Sequence, residues 1–213
     1  MTYRKTEGIK EQLADKRSRI LNAARRLVAE GGFQEASVAA VAALAGVATG
    51  TVYRYFPSKA ELFAEVVSQT SQRELEIVAG IIFSEGTPSD RLAAAIRAFA
   101  ARALRGRRLA YALVAEPVDP EVDVARLKYR RALGRVFETI IEQGIRANEF
   151  PPQNVAVSAA ALVGAFMEAL VGPLSPESLA TDEDKTALIE AIVGFCLRAV
   201  ACRPKGEVIA LSR

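Results

Sequence analysis

Residues 45–62 read AGVATGTVYRYFPSKAEL. Tyr53, Arg54, Tyr55 and Phe56 form a run of four bulky side chains, too many for one face of one short helix, and Pro57 then ends it. Val52 and Phe56 are four apart and share a face, so both are expected to pack inward. Thr49, Gly50, Thr51, Tyr53 and Arg54 are then left on the exposed side. Upstream, Ser37 is a good N-cap for a short helix that is expected to bury Val38, Val41 and Leu44 and to stop at Gly46. Short helix, glycine-containing turn, short helix is the pattern of a helix-turn-helix, whose second helix enters a DNA major groove. Gly50 has no side chain to hold DNA away. Thr51, Tyr53 and Tyr55 offer hydroxyls to phosphates or base edges, and Arg54 offers a fork of donors.

On the N-terminal side, Ile20, Ala24, Leu27 and Val28 share one face of a helix expected over residues 16–30, with Gly31 and Gly32 ending it. On the C-terminal side, Ser58 and Glu61 form a capping box that opens a fourth helix, and Lys59 sits at its positive end, well placed for a phosphate. That helix continues to about residue 83, with Phe63, Val66, Thr70, Ile77 and Ile81 expected on its inner stripe. Residues 1–62 carry ten Lys and Arg against six Asp and Glu, while the remainder is slightly acidic, so the positive charge gathers around the helix-turn-helix.

The other 150 or so residues repeat the helical period, and no alternating strand is found, so the chain reads as all-α with about nine helices. Thr87 and Pro88 open a helix with Leu92, Ile96, Phe99 and Ala103 inward. A short helix follows Gly106, and DPEVD opens a long one to about residue 148. Residues 154–172 are apolar nearly all round, which requires burial of more than one face. Alanine supplies much of that apolarity and Glu168 lies inside, so burial against the chain's own domain and a partner subunit is preferred to a membrane span. A last helix begins at TDEDK. Ala159, Val163, Leu170, Ile189, Ile192, Val193, Cys196 and Val200 on the last two helices are the candidate dimer seam. Candidate pocket residues are Phe99, Arg102, Tyr111, Tyr129, Phe137, Phe166 and Glu168. Two arginine clusters, Arg102 to Arg108 and Arg126 to Arg135, read as a solvated surface or intersubunit ion pairs in preference to a site for an anionic effector such as an acyl-coenzyme A phosphate.

The chain has no histidine, which removes the commonest general base and metal ligand, so no enzyme, metal site or cofactor is expected. Cys196 and Cys202 are expected to be buried, reduced thiols. The N-terminus lacks an apolar signal core, which points to a cytoplasmic location.

The stretch SVAAVAALAGVATGTVYRYFPSKAELF, residues 37–63, resembles the DNA-binding signature of the tetracycline-repressor (TetR) family. The likeness extends backward through ILNAARRLVAEGGFQEAS. The resemblance implies a homodimeric transcription factor, most simply a repressor, that binds a palindromic DNA operator and is released by a small-molecule effector. By position it places Ser37, Thr49, Thr51, Tyr53, Arg54, Tyr55 and Lys59 where family members touch DNA, and Val52 and Phe56 where they pack. The expected domains are a DNA-binding unit over 1–62, with 1–15 as a flexible arm, an effector and dimerisation unit over 63–202, and a flexible tail over 203–213. A helical adaptor that binds proteins and no DNA is the alternative.

Overall fold

The computed structural model describes residues 2–179 and 181–202, with side chains from residue 13 onward. The tail expected at 203–213 lies outside the described residues. Among these, nine helices and no strands are found: α1 Thr2–Glu35, α2 Val38–Ala45, α3 Thr49–Tyr55, α4 Lys59–Ile82, α5 Pro88–Arg105, α6 Arg107–Val114, α7 Pro120–Arg146, α8 Val155–Leu174 and α9 Asp182–Ala201.

Local chemistry sets most of these boundaries. Ser37, Ser58, Thr87, Asn154 and Thr181 each accept a hydrogen bond from the backbone N–H three residues on, which satisfies a donor that the first helical turn leaves open. Thr181 and Asp184 complete the reciprocal box at the start of α9. Gly46 ends α2 with φ 66° and ψ 42°, a left-handed cap that a side chain would strain.

Helix α1 is longer than the helix expected over residues 16–30: it begins at Thr2, and the segment 1–15 has no proline and only one glycine, Gly8. At the other end it breaks at Gly32, φ 82°, where the glycine pair was expected to end it, and one further turn runs to Glu35.

Hydrophobic burial divides into two clusters. The first joins α1, α2 and α3 through Ile20, Ala24, Val28, Val41, Val52 and Phe56, and takes in Leu62, Phe63, Val66 and Val67 from α4. It also draws in Ala112 from α6 and Val122 and Ala125 from α7, so the small N-terminal domain is packed onto the body. The second cluster holds α5, α7, α8 and α9 around Phe99, Phe137, Ile140, Phe166 and Met167, with Val78 and Ile82 from the far end of α4. Helix α4 therefore belongs to both cores.

Leu44 and Ile77, expected to be buried, are exposed, and Ala42, Ala45, Val78 and Ile82 fill the inward positions instead. Cys196 is buried and its thiol is pushed up to about 11 by that burial, whereas Cys202 is exposed beyond the end of α9. Helix α8 is long and apolar enough to cross a membrane, with mean hydropathy 1.9, but Ala159, Leu162, Val163, Phe166, Met167, Leu170 and Leu174 are buried in the body's core.

Candidate nucleic-acid interface and effector cavity

Helices α2 and α3 meet at a bend of 101°, within the range of a helix-turn-helix. Val52 and Phe56 are buried, and they fix the rotation of α3 about its axis. Arg17 stacks over the Phe56 ring at 5.0 Å and pairs with Glu65 at 3.2 Å, which ties α1, α3 and α4 together. Arg19 donates to the Ala45 carbonyl at 2.6 Å and so holds the last turn of α2.

With that rotation fixed, Thr49, Gly50, Tyr53 and Arg54 are exposed, Tyr53 by 48%, and Thr51 is half-buried beside them. Tyr55 packs against the domain core and is half-buried. The exposed Ser37 accepts from the Ala40 N–H as the α2 cap, and its O–H remains a donor. Lys59 opens α4, with its ammonium 5.5 Å from the centre of the Phe63 ring. The structure thus places Thr49, Gly50, Thr51, Tyr53 and Arg54 on one short helix, with Lys59 one turn beyond its end.

A cavity of about 150 Å³ lies between α4, α5, α6, α7 and α8. Phe99, Leu109, Leu113, Met167, Leu170 and Leu174 provide apolar wall. Of the expected pocket residues, Phe99, Arg102 and Tyr129 line it. Phe137 and Phe166 are core: Phe166 meets Phe99 edge-on at 5.0 Å and Phe137 at 5.6 Å, so both support the wall from behind. Tyr111 packs against the core without lining the cavity, and Glu168 faces the adjoining groove between α7 and α8.

Thr70, Glu74 and Arg126 also line the cavity, and sequence reading did not place them there. Arg102 grips Glu74 with two nitrogens, Nη2 at 2.6 Å and Nε at 3.1 Å. The hydroxyls of Thr70 and Tyr129 and the Nε of Arg126 are buried without a partner. Burial first, then the Glu74 carboxylate, push the Tyr129 phenol well above its ordinary value, so it remains a hydrogen-bond donor.

Arg102, Arg107, Arg108 and Arg126 are spent inside the chain, whereas Arg105, Lys128, Arg130, Arg131 and Arg135 are exposed, as expected of a solvated surface. Arg107 donates to the carbonyls of Ser175 and Ser178 at 2.6 and 3.0 Å. Arg126 donates to the carbonyls of Ala112 and Glu116. Arg108 pairs with Glu116 at 3.1 Å and also donates to the Gly31 carbonyl, while Glu116 accepts from the Gln34 N–H at 3.2 Å. Arg108 and Glu116 therefore clasp the end of α1, while Leu109, Ala110 and Leu113 of the same α6 segment face the cavity. Arg131 and Arg135 stay exposed along the groove between α7 and α8.

Seven of the eight expected seam residues face inward: Ala159, Val163, Leu170, Ile192, Val193, Cys196 and Val200 are buried within this chain, and Ile189 is half-buried. The apolar surface that α8 and α9 leave open is formed by their neighbours, with Val157 63% exposed and Phe195 54% exposed, together with Ala161, Gly164, Ala191 and Ala199.

A helix-turn-helix unit mounted on a cavity-bearing all-α body defines the class of this protein. Residues 20–66 match the model of bacterial regulatory proteins of the tetR family, and residues 85–188 match a tetracyclin repressor-like C-terminal domain. The chain belongs to the TetR family. It is 37% identical over 82 residues to the HTH-type transcriptional repressor KstR of Mycolicibacterium smegmatis, covering 38% of this chain and 40% of that one. It is 36% identical over 92 residues to the HTH-type transcriptional regulator UidR of Escherichia coli, covering 41% and 47%. The chain thus spans less than half the length of these curated relatives. Among solved structures, the transcriptional regulator FadR from Bacillus subtilis in complex with stearoyl-CoA superposes with a TM-score of 0.74 at 20% identity, over 86% of this chain and 98% of that one.

Proposed function

We propose that the protein is a cytoplasmic, dimeric transcriptional repressor that reads a palindromic DNA operator with α3 of each subunit and releases it when a small molecule fills the cavity. The observation that carries this reading is the face of α3: Thr49, Tyr53 and Arg54 stand exposed while Val52 and Phe56 are locked in the core. One seven-residue helix reaches only a few base pairs. Two helices held about 34 Å apart reach successive major grooves, which is why the reading requires a pair of subunits. The exposed strip of Val157, Gly164 and Phe195 on α8 and α9 supports a four-helix seam in which small residues allow close approach.

Release needs a ligand that favours one spacing of the two DNA-binding units over another. Two connections support such coupling. Helix α4 shares both cores, and α6 presents one side to the cavity while Arg108 and Glu116 hold the end of α1. Operator fragments selected from random duplex DNA test the reading directly. If each subunit clamps on the order of four phosphates, affinity falls with salt at a log-log slope of roughly −7. A chain that fails to retain any duplex, or retains it without salt dependence, contradicts the proposal.

A further inference from the structure

The cavity wall is hydrocarbon except at a few groups, and those groups restrict what can occupy it. The Thr70 and Tyr129 hydroxyls and the Arg126 Nε are buried and unpartnered, and a polar group left so costs roughly 1–3 kcal/mol. A guanidinium Nε can only donate, and a protonated phenol donates readily, so the complementary ligand atom is an acceptor.

The charges deep in the cavity are matched, and the one lining cation without an acidic partner among the described residues, Arg130, is exposed on the side shared with the outer groove and donates to the Val114 carbonyl at 3.4 Å. Arg102 is held by Glu74. Arg126 faces Asp123 at 4.0 Å and the Glu116 main chain, with Glu116 itself buried against Arg108. A carboxylate placed inside would either break the Arg102–Glu74 pair or lie beside the Glu74 carboxylate, and an uncompensated buried charge is strongly unfavourable. Counter-charge for an anion lies at the shared boundary and beyond it: Val114, Arg130 and Met167 line both the cavity and the groove, where Arg131 and Arg135 are exposed.

We infer that the cavity takes an uncharged, mainly hydrocarbon group bearing one carbonyl oxygen, of the ketone, ester or thioester class, which accepts from Tyr129 and Thr70 while the Arg102–Glu74 pair stays closed. Such a carbonyl could belong to a free molecule or to the thioester of a phosphate-bearing carrier whose anionic part lies in the groove. The inference deepens the repressor reading, but its binding test does not depend on DNA.

The test is calorimetric titration of the full chain with 2-octanone, octanoate and octanoyl-coenzyme A. Octanoate is expected to bind at least about tenfold more weakly than 2-octanone. Tyr129→Phe is expected to lose up to about tenfold for 2-octanone, the worth of one hydrogen bond, and Thr70→Val a similar factor, with melting behaviour verifying the fold of each. Octanoyl-coenzyme A binding tighter than the ketone, with the gain lost in Arg131→Gln/Arg135→Gln, assigns the carrier source; the reverse order assigns the free one. Octanoate equal to the ketone, a ketone that does not bind, or variants Tyr129→Phe and Thr70→Val that both leave ketone affinity unchanged would overturn the inference. Operator anisotropy on the same samples separates the two claims: selective carbonyl binding with the operator still retained counts against the repressor reading and leaves the ligand class standing.

Discussion

Arg54 lies exposed on α3 and Lys59 opens the next helix, and the two differ in what they could offer a bound duplex. Arg54, on the exposed side of the helix, presents a planar fork suited to a guanine edge or a phosphate. Replacing it with alanine is expected to cost about 1–3 kcal/mol of operator affinity and to relax preference at one base position, read by competition between operator variants. In the proposed complex Lys59 would offer a point charge to the phosphate chain. Lys59→Ala is expected to weaken all duplexes evenly and to reduce the magnitude of the salt slope by about 1. Tyr129 gives a prediction of another kind. Its phenol is raised above the ordinary 10.0 in the folded chain, so the unfolded chain releases that proton first as pH rises. Folded stability should therefore fall as pH climbs through and above about 10, and Tyr129→Phe should soften that fall in urea unfolding at alkaline pH.

Helix α6 has only eight residues, yet it touches the cavity on one side and the DNA-binding unit on the other. Arg108→Met removes both the ion pair and the bond to the Gly31 carbonyl, and leaves the buried Glu116 carboxylate short of a counter-charge. The expected result is a loss of about 1–3 kcal/mol in thermal unfolding, since Arg108 is partly solvated, and a smaller change in operator affinity on ligand binding with ligand affinity itself nearly preserved. Gly32 completes this joint: its φ of 82° is one that other residues resist, and a Cβ there would run into the Arg108 guanidinium. None of this joint was legible in the sequence. Gly31 and Gly32 signalled a helix end, but a composition that says arginine is usually solvated cannot say that a carbonyl 77 residues away will claim it. The helix-turn-helix was legible because its information is local: Ser37 caps, Gly46 turns, and the four-residue spacing of Val52 and Phe56 chooses the buried side. Thr70 illustrates the intermediate case. Its helical stripe was evident, whereas the void it faces depends on how five helices pack.

At the scale of the whole molecule, the proposed pairing of two recognition helices rests on the open surface of α8 and α9. Most of the residues that sequence periodicity put forward for a subunit seam are buried within this chain, because apolar spacing marks a buried side without saying what covers it. The apolar and small residues that α8 and α9 leave exposed include Val157, Ala161, Gly164, Ala191, Phe195 and Ala199. Phe195→Arg combined with Gly164→Arg is expected to give a folded monomer in sedimentation experiments, and to reduce operator affinity by more than a hundredfold because only one half-site is then engaged.

The double membership of α4 carries a mechanical implication. Its 24 residues span about 36 Å at 1.5 Å per residue, so under the proposed function it would serve as a stiff lever arm anchored near Val78 and Ile82. A tilt of only about 5° at that anchorage sweeps the opposite tip, where Lys59 sits, through about 3 Å, close to the 3.4 Å separating neighbouring nucleotides along a strand. In the proposed dimer, mirrored swings of two such arms would put both reading heads out of phase with the helical repeat, so a small adjustment around a bound molecule would suffice to spoil the fit to the groove.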